Sequence, residues 1–68
     1  MPRGRIKWFN EIKGYGYIEQ ESGEEDVFFH FSVIDMEGYK ILPVGTEVEF
    51  EYISGEKGPL ATRVTKIE

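Results

Sequence analysis

Hydrophobic and polar residues alternate along much of this chain with a period of two. The clearest stretch is 46–53, where Val48, Phe50 and Tyr52 alternate with Glu47, Glu49 and Glu51. That period puts the first set on one face of a strand and the glutamates on the other, solvated face. Segments 5–10, 15–20, 26–31 and 60–66 are also rich in β-branched and aromatic residues, the composition of half-buried strands. Between them lie turn signals: Lys13-Gly14, Ser22-Gly23-Glu24-Glu25, and a turn-rich loop from Ser54 to Pro59. No helical period is sustained. Residues 32–35 have room for one short turn, and a longer connection runs from Gly38 to Pro43. Five short strands predict a small all-β antiparallel barrel, because closure removes the edges that so little sheet would otherwise expose.

Two aromatic runs stand out against this pattern: Lys13-Gly-Tyr-Gly-Tyr-Ile18 and Val27-Phe-Phe-His-Phe31. Alternation makes Tyr15 emerge with Tyr17, and Phe28 with His30. In the first strand strict alternation would bury Trp8 beside Ile6. A bulge reconciles an inward Ile6 with an outward Trp8, although the pattern does not place it. One Trp, four Tyr and five Phe occur in 68 residues. Ile6, Ile18, Val27, Val48 and Val64 already supply a core, and burying every ring would strand the Tyr hydroxyls and the indole N–H. Outward rings form a platform on which bases can stack.

Length and charge narrow the function. The 68 residues form one domain, 1–68, that buries only about 60% of its extended surface. With no Cys and one His, neither a disulfide framework nor a metal site is expected. No apolar run approaches the roughly 20 residues of a membrane helix. The expectation is a soluble, cytoplasmic, monomeric protein without a cofactor. Net charge is −5, but it is polarised. Arg3, Arg5, Lys7 and Lys13 outweigh Glu11 at the start, and Lys57, Arg63 and Lys66 outweigh Glu68 at the end. Glu19, Glu21, Glu24, Glu25 and Asp26 make the stretch between the aromatic runs acidic. The overall field slows the approach of a polyanion, so stacking is expected to outweigh phosphate contact.

Four linked segments carry a resemblance: Lys7-Trp-Phe-Asn10, the Lys13–Ile18 run, Asp26-Val-Phe-Phe-His-Phe31, and Gly58-Pro59. Together they resemble the bacterial cold-shock protein family, from residue 3 to the end. The resemblance implies a Greek-key OB-fold of five antiparallel strands that binds single-stranded RNA and single-stranded DNA on its second and third strands. It implies base stacking at Trp8, Tyr15, Tyr17, Phe28, His30, Phe31 and Tyr39, and polar contacts from Lys7, Asn10, Lys13, Asp26 and Lys57. An RNA chaperone active under cold stress is the implied role. Tyr15 and Tyr17 stand where the family often has Phe. Phe29 replaces a smaller core residue, which implies a compensating cavity or a shifted strand. Leu60 stands where a polar Gln is usual near the ligand, and the acidic 21–25 loop is one residue longer.

Other readings of the same residues remain. RRM domains share a Lys-Gly-Tyr-Gly run but need two helices. Gly14 and Gly16 serve as turn and bulge formers, or let a base approach closely. Catalysis lacks an inventory: there is no Cys nucleophile, no His partner in a recognisable motif and no P-loop spacing, and no small-molecule substrate is implied. The stronger alternative is an interaction module that packs proline-rich peptides between Tyr and Trp rings. Lys7, Lys13, Lys57 and His30, interleaved with the rings, favour nucleic acid.

Overall fold

The computed structural model describes residues 1–36 and 41–67. Five strands form, β1 (Arg3–Asn10), β2 (Tyr15–Gln20), β3 (Val27–His30), β4 (Glu47–Gly55) and β5 (Gly58–Lys66), with one 3₁₀ turn at Phe31–Val33. They close into a barrel in the order β1-β2-β3-β5-β4, with β4 pairing back onto β1. Closure leaves no long free edge in a chain too small to cover one. All ladders are antiparallel except the seam between β3 and β5, which is parallel and pairs Phe28 with Leu60. No helix among the described residues is long and apolar enough to cross a membrane.

The expected core residues Ile6, Ile18, Val27, Val48 and Val64 are all buried, joined by Phe29, Phe50, Ile34, Leu42 and Ala61. The β1 bulge lies between Ile6, opposite Ile18, and Trp8, opposite Tyr17. The extra residue, Lys7, lets Ile6 point inward while Trp8 points outward. Phe9 then returns to the inside and stacks on Phe29 at 5.7 Å and 15°.

Phe29 is accommodated without a shift of its strand. It pairs in unbroken register with Gly16, where a Cβ would come within 2.9 Å of the Phe29 ring and 2.3 Å of the Trp8 carbonyl. Gly16 is therefore spent on internal packing, not on the approach of a base. Gly14, at φ +76°, makes similar room for the ring of Phe31.

The expected alternation holds along β4. A second bulge shifts the register between Glu51–Arg63 and Tyr52–Ala61, with Thr62 of β5 as the extra residue. Val48 and Phe50 are buried, while Tyr52, on the same face opposite buried Ala61 and 5.8 Å from the Phe50 ring, keeps 37% of its surface exposed. The segment 54–59 is mostly strand. Ser54 pairs with Pro59 and Gly55 with Gly58, leaving a tight turn at Glu56 and Lys57.

Candidate nucleic-acid interface

β2 and β3 bring the two aromatic runs face to face, with Tyr15 opposite His30 and Tyr17 opposite Phe28. The β1 bulge adds Trp8 beside Tyr17. Trp8 meets Tyr15 edge-on at 5.3 Å and lies 6.3 Å from Tyr17. Phe28 sits 5.5 Å from both Tyr15 and Tyr17. These four rings form one contiguous outer cluster, and His30 with Phe31 forms an adjoining pair at 4.6 Å. Trp8, Tyr17 and Phe31 are 42%, 38% and 45% exposed, whereas Tyr15 and Phe28 are wedged half-buried between them. Edge-on and tilted packing holds rings without covering all their faces. Tyr39 lies outside the described residues.

Exposed His30 caps the 3₁₀ turn. Its Nδ1 accepts the Ser32 N–H at 3.3 Å and lies 2.9 Å from the Ser32 hydroxyl. The turn begins at Phe31, whose N–H donates to the Gly14 carbonyl at 2.7 Å. Phe31 is thereby tied to the turn that leads into the start of β2.

The polar residues divide into groups. Lys7 donates to Asp26 Oδ2 at 2.8 Å, joining β1 to the start of β3 beside the rings. That hydrogen bond and the charge of Asp26 hold the Lys7 ammonium above its ordinary pKa. Asn10 organises the β1–β2 loop: its Oδ1 accepts the N–H groups of Ile12 and Lys13 at 3.0 Å each. This Asx geometry fixes the loop that carries Lys13. Lys13 and Lys57 are exposed and have no acidic partner among the described residues. Arg3 and Arg5 instead pair with Glu49 and Glu47 of β4, so much of the basic character of β1 is neutralised away from the rings. The cluster's other edge is completed by Leu60, opposite Phe28 across the seam. Its sequence signal was an apolar residue after Gly58-Pro59, but only the parallel register brings it to Phe28.

A small closed barrel with aromatic rings across three adjoining strands is the architecture of an OB-type nucleic-acid binder. The comparisons agree. A family model described as the 'Cold-shock' DNA-binding domain matches residues 2–67. Cold shock protein CspA of Staphylococcus saprophyticus is 55% identical over 67 residues, covering 98% of this chain and 100% of that protein. Cold shock-like protein CspLB of Listeria monocytogenes is 54% identical over the same shares. A solved structure described as drosophila Unr CSD456 superimposes with a TM-score of 0.80 at 25% identity, covering 98% of this chain and 26% of that one. The chain belongs to the cold-shock domain family, a nucleic-acid-binding family.

Proposed function

We propose that this protein binds single-stranded RNA and DNA by stacking unpaired bases on Trp8, Tyr15, Tyr17, Phe28, His30 and Phe31, and that it works as an RNA chaperone. Tyr39 belongs to the same proposal by sequence alone. The observation that carries it is a division of labour among apolar residues: a filled core lies inside the barrel while a second, contiguous set of rings stays accessible outside it. Each stacked base contributes roughly 1–3 kcal/mol, and every base offers a face, so binding is tolerant of sequence. Bases in a duplex are already stacked and paired, which leaves the platform nothing to hold. Lys7, Lys13 and Lys57 supply phosphate contacts, and Asn10 and Asp26 supply loop order and polar contact. Few free cations near the rings and a net charge of −5 keep the electrostatic share small. Weak, distributed contacts suit a monomeric cytoplasmic protein that holds RNA open and releases it.

A labelled RNA hairpin with a fluorophore and quencher at its ends tests the chaperone role. Adding the protein should raise fluorescence in proportion to the single-strand affinity, and a proline-rich peptide should not compete. A hairpin that stays closed at saturating protein, or ready displacement by the peptide, would contradict the proposal.

A further inference from the structure

The pairing register continues the aromatic strip beyond β3. Trp8 lies opposite Tyr17, Tyr17 opposite Phe28, Phe28 opposite Leu60, and Leu60 opposite Ile53. Directly paired residues share a face of the sheet, so these five side chains form one outward row crossing every strand. At about 4.8 Å per strand the row spans about 19 Å along the curved surface. Its last two members, Leu60 and Ile53, are 36% and 55% exposed.

What lies beside this aliphatic end is as informative. The next pair on the same face is Gly55 with Gly58, so the hairpin presents bare backbone next to Ile53 and Leu60. The turn beyond carries Lys57. An apolar step, a ledge without side chains and a cation follow one another in the order base, sugar and phosphate require. One feature opposes a polyanion: Glu25 Oε2 lies 3.0 Å from where a Gly58 Cβ would stand. The Glu25 carbonyl is held by Gln20 Nε2 at 2.7 Å, which anchors the acidic loop at that position.

We infer that Leu60 and Ile53 form an additional subsite on the β4–β5 hairpin that seats one further unpaired nucleobase by its face. The inference rests on the proposed stacking of single strands and extends it from three strands to all five. Neither side chain has a donor or acceptor, so the subsite adds affinity without reading the base edge. Glu25 limits that gain through its charge.

The test is anisotropy of labelled oligothymidines, in lengths from about three to nine nucleotides, with the wild type and with Ile53→Ser plus Leu60→Ser. Both positions are exposed, and thermal melting confirms that the variant folds. Strands short enough for the aromatic rings alone should bind both proteins within about twofold, while the longest should lose about fivefold in the variant. Glu25→Gln should tighten long strands and leave short ones unchanged. Equal affinity of wild type and variant at every length, or a uniform loss at all lengths, would overturn the subsite and leave the stacking proposal standing. Failure of the wild type to bind any length would overturn both. Sedimentation supplies the remaining arm: a wild-type dimer that the double substitution dissolves would assign this face to a second copy and overturn the inference.

Discussion

Replacing Phe28 with Ala tests binding and folding as two separate quantities at the centre of the outer cluster. Phe28 is central to the outer cluster, touching Tyr15 and Tyr17 at 5.5 Å each and facing Leu60 across the seam. It points away from the core, so truncation opens no internal cavity. Losing two aromatic contacts, each contributing about 0.5–1.5 kcal/mol beyond area, costs about 1–3 kcal/mol of stability. At roughly 4–8 °C per kcal/mol for a domain of this size, melting falls by some 4–24 °C. The binding loss is a separate quantity. Removing one stacking ring costs roughly 1–3 kcal/mol per base, a rise in Kd of about five- to 150-fold. Equilibrium titration with oligothymidine and with oligoadenosine, well below the variant's melting point, reads this directly. Both strands should weaken by similar factors. Phe9→Leu is the matched control: its ring stacks on Phe29 inside the barrel, so it should lower melting while preserving Kd. Unchanged affinity in Phe28→Ala, or an equal loss in Phe9→Leu, would refute the distinction between outer and inner rings.

Two further predictions concern packing and charge. Gly16→Ala drives a Cβ against the Trp8 carbonyl and the Phe29 ring. A strand backbone yields little, so overpacking should cost at least about 2 kcal/mol and lower melting by some 8–16 °C; an unchanged melting point would contradict the placement of Phe29. Lys7→Gln removes the cation that precedes Trp8 in the chain and its bond to Asp26. Thermal stability should hardly change for so exposed a pair, while the slope of log affinity against log salt should become shallower by about 0.7. A slope identical to wild type would show that Lys7 neutralises no phosphate.

Much of this arrangement is legible in the chain because period-two patterning fixes which side of a strand each residue takes. Tyr15, Tyr17 and Phe28 could be set outside the barrel on that basis, and the conflict between Ile6 and Trp8 demanded a bulge before one was located. Alternation also grouped Tyr52 with Val48 and Phe50, and it does share their face opposite Ala61, but a face does not fix burial, and Tyr52 stays 37% exposed. Pairings distant in sequence left no local trace. Lys7 meets Asp26 nineteen positions away, and Leu60 meets Phe28 only because the seam is parallel. Gly16 illustrates a related difficulty. Its absent side chain fits a base or a neighbour equally well on paper, and only its partner, Phe29, decides between them.

The stacking surface itself is tested most directly by Trp8, the only tryptophan and a side chain 42% exposed beside Tyr15 and Tyr17. Its fluorescence can be followed while single-stranded pyrimidine, single-stranded purine and duplex oligonucleotides of equal length are added. The account predicts saturable quenching by both single strands and little response to duplex. Equal quenching by duplex, or binding of single strands that leaves Trp8 emission untouched, would contradict it.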